Sequence, residues 1–448
     1  MTSIFAKVAL LKTGCEKDVR IVMDEGTIKS LQIGASPQVQ DERHELIIPG
    51  TGNLHSHAFQ RAMAGLAEVR GPASDSFWSW RTIMYKFALT FQPEQLEAVA
   101  AQLYMEMLEA GYTRVGEFHY LHHDRDGQHY ANIAEHAERI AAAASCTGIS
   151  LTLLPVFYAQ SGFGGGVPSD GQRRFINSVE NYARLIEACG KITQKLAGSR
   201  LGIAPHSLRA ATPDQLKQIL PLAKDGPVHM HISEQIKEVE DCIAWSGARP
   251  VEWLLENMPV NENWTLIHAT HMTEAETAGM AARRAIAGLC PITEANLGDG
   301  IFPAPQFLKN DGLYGIGSDS NVSISLAHEL RQLEYSQRLA TRSRNVIALP
   351  GKSTGERLLD IAVRGSAQAL HAGGHLCAGR EADFVALDVS KVPYLPHANL
   401  LDEWIFADNI HVDSVWVQGK KKVQNGRHID RDEISRKFVG AMKELLQH

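Results

Sequence analysis

His55 and His57 stand two residues apart in Asn53-Leu54-His55-Ser56-His57, closing an apolar run that begins at Leu46. Side chains alternate across a strand, so if extended geometry persists to the end of the run, both imidazoles point to one side and could share a cation. Neutral imidazole is the commonest protein ligand of zinc-like metals. Gly50 and Gly52 suit a backbone that must bend and let a ligand approach closely. A His-x-His on its own is as readily a pair of surface or packing histidines, so the rest of the chain has to decide.

Partners recur at the ends of other apolar runs. Val228-His229-Met230-His231-Ile232-Ser233-Glu234 puts His229 and His231 on one side, with Glu234 shortly after. Leu266-Ile267-His268 ends in His268, and Gly315-Ile316-Gly317-Ser318-Asp319 ends in Asp319. Any one of these could cap a helix or bond a loop carbonyl. Their joint occurrence points to chemistry. His55, His57, His231 and Asp319 supply three imidazoles and a carboxylate, a set suited to one zinc or ferrous ion with water completing its coordination. His229 lies deeper in its run and reads as core or support.

The elements that position these residues are short apolar runs alternating with helical patterns, the signature of βα units and a parallel sheet. The runs predict strands over 46–54, 114–119, 150–157, 201–205, 228–232, 264–269, 285–290 and 314–318. Eight is the number at which a parallel sheet closes into a TIM barrel, whose active sites sit at the strand ends. Between the runs, 94–110 reads as a helix opened by Pro93 and stopped by Gly111, and 131–145 as an alanine-rich helix. The first 45 residues alternate polar and apolar positions with a turn at Asp24-Glu25-Gly26. The same texture returns at 382–388 and 414–419, with Asn425-Gly426 as a further turn. The expected architecture is an α/β TIM (β/α)8 barrel over 46–374, with a small β-sandwich-like domain built from residues 1–45 and 375–448.

The 448 residues, 44% hydrophobic and 21% charged, suit a large domain with a smaller companion. No uncharged apolar run approaches the roughly 18 residues of a membrane helix. With a formal net charge of −7 and only Lys420-Lys421-Lys422 as a short basic run, neither nucleic acid nor membrane is an expected partner. The six cysteines show no Cys-x-x-Cys spacing and the N-terminus has no leader pattern, so a reducing cytoplasm is expected.

The His-x-His after the first run, His-Ile-Ser-Glu after the fifth, His-Ala-Thr after the sixth and Ser-Asp after the eighth resemble the amidohydrolase superfamily in its deaminase-like branch. Binuclear members carry a carbamylated lysine after the fourth strand. This chain has Pro205-His206 there, which implies one metal ion. Five blocks are more specific: Asn53 to Met63, Ser76-Phe77-Trp78-Ser79-Trp80-Arg81, Glu117-Phe118-His119-Tyr120, Pro205-His206-Ser207-Leu208-Arg209 and Thr293 to Gly300. They resemble the formimidoylglutamate deiminase family.

That resemblance implies hydrolysis of N-formimidoyl-L-glutamate, a small dicarboxylate, to N-formyl-L-glutamate and ammonia in histidine degradation, and a homodimer. It also implies that Gln60, Arg81, Tyr120, His206 and Arg209 hold the two carboxylates. Arginine's rigid fork suits that task. Against this, Arg81 beside Trp78 and Trp80 could be a plain surface charge, and Gln60 could be solvated. The aromatic segment near residues 70–90 is either packing or a cover for the barrel mouth. The loop 293–300 either shapes the pocket mouth or serves as simple turns, and no chemical role is assigned to it.

A bound metal can bring the pKa of a water from 15.7 toward about 7. Asp319 would take that proton, Glu234 would manage protons at the substrate nitrogen, and His268 would stabilise the oxygen or nitrogen charge that builds up in the tetrahedral intermediate. Two rival readings stand: a deaminase of purine, pterin or similar rings on the same metal site, and a non-catalytic relative that keeps the barrel as a scaffold.

Overall fold

The computed structural model describes residues 2–70 and 76–447. Leu46-Ile47-Ile48 does not continue into the histidine strand. Glu42–Pro49 pairs parallel with Thr2–Leu11 and antiparallel with Phe384–Asp388, whereas Thr51–Ser56 pairs parallel with Tyr112–His119. Gly50 is the junction. Its amide donates to the Asp383 carbonyl at 2.9 Å, and a Cβ there would sit 2.4 Å from the Thr113 hydroxyl oxygen and 3.0 Å from the Asp383 backbone. Only glycine lets the chain pass between two sheets this close. The single strand expected over 46–54 is therefore two strands in two sheets that meet at Gly50.

The sheet built from the two chain ends has eight strands. Their order is Arg427–His428, Lys420–Gln424, His411–Val417, Phe384–Asp388, Glu42–Pro49, Thr2–Leu11, Gly14–Asp24 and Thr27–Gln32. Ile4, Ala6, Ile21, Phe384 and Trp416 pack on one face, with the last two rings stacked at 4.8 Å.

The remaining strands run parallel in two sheets. One follows the order Thr51–Ser56, Tyr112–His119, Ser150–Phe157, Arg200–Leu201, with Ala204–Pro205 also on Ser150–Phe157; the other runs Val228–Ile232, Trp264–His268, Ile286–Leu289, Tyr314–Ile316. Their longer strands are buried along their whole length, which is why they read as unbroken apolar runs. The two sheets touch at both seams. Ser56 bridges Asp319, with His57 N–H donating to the Asp319 carbonyl at 3.1 Å and Asp319 N–H to that of His55 at 2.9 Å. Ile203 bridges Val228, and His231 N–H donates to the His206 carbonyl at 3.0 Å. The result is a TIM-barrel-like α/β fold.

Two further expectations need correction. The run 201–205 is broken at Gly202-Ile203, where a Cβ on Gly202 would lie 2.3 Å from the Pro227 carbonyl oxygen. The stretch 293–300 is largely helical, Pro291–Leu297, closed by Gly298 in the left-handed region at φ +72°.

A second group of histidines lies behind the strand Tyr112–His119. His119, His122 and His136 are buried near Arg174, whose guanidinium donates to the carbonyls of His123, Ala88 and Phe91. Burial pushes the His119 and His136 imidazoles down to about 3, helped by their mutual proximity for His119 and by Arg174 for His136. The unfolded chain takes up protons on them below about 6.5, while the folded chain does not until about 3. Stability from their neutral forms is therefore complete above about 6.5 and is lost as pH falls toward 3. The thermal midpoint is expected to drop by several degrees between pH 7 and pH 4, and less in a His119→Phe variant. Equal slopes for the two proteins would contradict this account.

Candidate active site

His55 and His57 end the strand Thr51–Ser56, His231 lies in Val228–Ile232, and Asp319 follows Tyr314–Ile316. The seam between Ser56 and Asp319 is what draws together residues so far apart in sequence. All four side chains are buried, and one nitrogen or oxygen from each lies within 4.8 Å of the others. His55 Nε2 is 3.0 Å from His231 Nε2, and Asp319 Oδ1 is 3.1 Å from His57 Nε2 and 3.5 Å from His55 Nε2. His57 Nδ1 donates to the Phe118 carbonyl at 2.9 Å and His231 Nδ1 to that of His206 at 3.1 Å. Since a carbonyl only accepts, both rings keep their Nε2 lone pairs directed inward.

Burial drives His55 down to about 3 and His231 well below the usual histidine range, with neighbouring imidazoles adding to the effect. Burial alone would raise Asp319, but its bonds to His55 and His57 hold the carboxyl well below the carboxylate range. Neutral imidazoles and an ionised carboxylate are the state a divalent cation needs. The inward-pointing His231 Nε2 lone pair lies 3.0 Å from His55 Nε2, and the buried His55 Nδ1 has no partner among the described residues, so His55 is free to turn an Nε2 lone pair toward a shared cation. The residues fit a divalent metal. Ser233, His268 and Asp319 all adopt left-handed φ, at 51°, 65° and 46°, so backbone strain is concentrated here.

Glu234 and His268 flank the cluster. His268 Nε2 lies 3.6 Å from Glu234 Oε1 and 3.8 Å from Asp319 Oδ2, while its Nδ1 is 3.3 Å from Glu294 Oε1. Burial would lower His268, yet the Glu234 charge and the Glu294 contact hold it up at about 10. Burial raises the Glu234 carboxyl, opposed by His268 and Arg209. His229 donates Nε2–H to the Ala369 carbonyl at 2.8 Å and takes no part in the cluster, as its deeper position suggested.

Above the cluster lies a pocket lined among others by His57, His231, Glu234, His268 and Asp319. The expected carboxylate holders Gln60, Arg81, Tyr120, His206 and Arg209 all line it. Tyr120 Oη is 3.3 Å from His57 Nε2, and His206 Nδ1 is 3.0 Å from the Ser207 hydroxyl. Among the described residues Gln60 Oε1 and Arg209 Nε are buried without partners, and Arg209 Nη2 lies 3.9 Å from Glu234 and 3.8 Å from Glu238. Arg81 sits on the helix Phe77–Ala88, capped by Ser76, which presents Phe77, Trp80, Arg81, Met84 and Tyr85 to the pocket. The cover expected near residues 70–90 falls partly on 71–75, outside the described residues.

Sequence reasoning missed Glu294, Tyr85 and Tyr158 in this site, and Asp299 beside it. Glu294 lay within a noted block, but its contact with His268 depends on how the helix Pro291–Leu297 is placed. Asp299 is mostly buried, accepts a short bond from the Gln235 amide and is raised to about 9, by burial first and then by the Glu234 charge. Its ligand atoms cluster with those of Glu234 and His268. Asp299 lies in the same noted block as Glu294, but its contact with Gln235 depends on how the helix Pro291–Leu297 is placed.

Residues 46–422 match the model of the amidohydrolase family, and residues 1–45 match that of the formimidoylglutamate deiminase HutF N-terminal domain. The chain is 50% identical, over the full length of both, to a formimidoylglutamate deiminase of Pseudomonas aeruginosa. It is 26% identical to a 5-methylthioadenosine/S-adenosylhomocysteine deaminase of Natronomonas pharaonis, covering 86% of this chain and 84% of that one. A crystal structure of an amidohydrolase from Brucella melitensis superposes with a TM-score of 0.97 at 58% identity, covering all of both chains. An adenosine deaminase from Xanthomonas campestris with bound zinc shares the fold, with a TM-score of 0.80 at 21% identity. The chain belongs to the amidohydrolase family and, within it, to the formimidoylglutamate deiminases.

Proposed function

We propose that this chain hydrolyses N-formimidoyl-L-glutamate to N-formyl-L-glutamate and ammonia in histidine degradation. The observation that carries this reading is that two guanidinium groups, Arg81 and Arg209, open into the same pocket as the three-histidine, one-aspartate cluster. A substrate with two carboxylates and a reactive amidine carbon needs both features; a flat neutral ring needs one of them.

In this reading His55, His57, His231 and Asp319 hold one divalent ion, zinc or ferrous iron, both of which accept this nitrogen and oxygen set. Such an ion supplies the Lewis acidity that lets water ionise near neutral pH. Asp319 accepts the water proton and returns it to the departing ammonia. Glu234 holds the proton at the formimidoyl nitrogen. His268, fixed through Nδ1 by Glu294, directs Nε2 to where charge develops on the attacked carbon's substituents. Gln60, Arg81, Tyr120, His206 and Arg209 bind the carboxylates.

We further read the two parallel sheets as one closed eight-strand barrel, supported by the bridges at both seams, and the end-built sheet as a separate small domain. Six free cysteines and, among the described residues, the lack of any helix long and apolar enough to cross a membrane support a cytoplasmic setting. The family suggests a homodimer.

The test is ammonia release from N-formimidoyl-L-glutamate, with guanine and adenosine compounds run alongside. Turnover is expected for the first, with a fall of at least about 100-fold after chelation and recovery on adding zinc. Turnover of the purines alone would establish the ring-deaminase reading instead, and no turnover of either would return the chain to a scaffold.

A further inference from the structure

Gln172 lies in a short turn, Asp170–Gln172, is fully buried and touches no metal ligand. Its side-chain oxygen accepts the Ser169 backbone N–H at 2.8 Å. A backbone N–H can only donate, so the amide orientation is fixed and the NH2 group faces the other way. There it meets two phenols: Tyr158 Oη at 2.7 Å and Tyr85 Oη at 3.3 Å. Tyr85 Oη also receives Arg81 Nε–H at 2.6 Å. Both tyrosines line the pocket.

The count of donors and acceptors is then unbalanced in a definite direction. Three N–H groups point at two phenol oxygens, which together carry two protons of their own. Tyr85 and Tyr158 interact with one another, which can absorb one of those protons. At least one phenolic O–H is left with no acceptor among the described protein groups, and it opens on the cavity beside the Arg81 guanidinium. Burial raises the Tyr158 phenol above its ordinary value, so the proton stays in place. A bare O–H beside a guanidinium suits a ligand that only accepts, with two oxygens to offer. A carboxylate does this.

We infer that Gln172 is a positioning residue that turns the Tyr85 and Tyr158 hydroxyls into donors and so completes, with Arg81, the seat of one substrate carboxylate. The inference rests on the dicarboxylate reading above and adds what enforces it. Gln172 acts through the phenols, whose acceptor capacity it fills, and so suppresses binding modes in which they would accept from the ligand, such as those of an amide or alcohol side chain.

The test compares Gln172→Leu and Gln172→Glu with the starting enzyme. Gln172→Leu frees the phenols to accept; Gln172→Glu keeps the shape but offers an acceptor that captures their protons. KM for N-formimidoyl-L-glutamate is expected to rise about tenfold in the first and more in the second, with kcat within about threefold. In a Tyr85→Phe/Tyr158→Phe background, adding Gln172→Leu should change KM no further. Calorimetric binding of N-formyl-L-glutamate, N-formyl-L-norvaline and N-formyl-4-aminobutyrate provides a readout that needs no turnover. The Gln172→Leu loss should affect the dicarboxylate and one monocarboxylate, and spare the other.

Equal weakening of all three ligands, no weakening of any, or full additivity with the double phenylalanine variant would overturn the inference. If the starting enzyme fails to turn over N-formimidoyl-L-glutamate, the functional reading falls, while the binding series still decides the role of Gln172. If Gln172→Leu does not fold, Tyr158→Phe alone must reproduce the selective loss for the inference to stand.

Discussion

An Asp319→Asn enzyme is expected to fold and yet to lose turnover by on the order of 10⁴-fold, the upper end of what a positioned acid–base group supplies. Asparagine matches aspartate in size, so the backbone bridge to Ser56 and the bonds to the His55 carbonyl and from the His57 amide survive. What disappears is the anion 3.1 Å from His57 Nε2 and 3.5 Å from His55 Nε2. Three neutral imidazoles and an amide hold a divalent cation more weakly, and the proton acceptor for water is gone as well. Two measurements check this: metal content of the purified protein, expected to fall well below one ion per chain, and ammonia release in excess zinc, expected to stay at background. Near-normal release in zinc would show that Asp319 serves only to retain the ion.

Glu234→Gln should separate the two roles in the opposite sense. Glu234 belongs to the pocket lining and lies 3.6 Å from His268, but it is not one of the four residues grouped as ligands. The amide keeps the volume and removes the exchangeable proton. Metal content is expected to be unchanged, while turnover falls by about 10² to 10⁴-fold. The same change leaves the Arg209 guanidinium, 3.9 Å from Glu234, with Glu238 as its remaining nearby carboxylate, so a modest change in KM should accompany the loss. Retained turnover with retained metal would remove Glu234 from the chemistry.

The four residues of the histidine–aspartate cluster were legible as a group because they stand in or just after short strands, most of which read as apolar runs. Ser150–Phe157 and Val228–Ile232 begin and end where the hydrophobic runs do, since both are buried along their whole length and carry no charged carboxylate or lysine to blur them. Where the reading failed, the deciding contact was remote. Nothing local in Leu46 to Leu54 announces that Gly50 is pinched between Thr113 and Asp383, so one strand was read where two sheets meet. Gly202 fails for the same reason, with Pro227 as the distant neighbour. In the pocket, Arg81 and Arg209 were reached through the family resemblance, with charge only agreeing. Gln172 and Tyr158 could not be, because a glutamine in a turn and a tyrosine after a strand acquire meaning only when a third element places them 2.7 Å apart.

The glycine junction also bears on the order in which the molecule can be completed. The strand leading into His55 and His57 is rooted at Gly50, whose amide is held by the carbonyl of Asp383, and its upstream neighbour Glu42–Pro49 is flanked by Phe384–Asp388. During synthesis Asp319, the last residue of the histidine–aspartate cluster, emerges well before that flank exists. A nascent chain therefore carries all four cluster residues while the base of the strand bearing His55 and His57 still lacks its bond to Asp383.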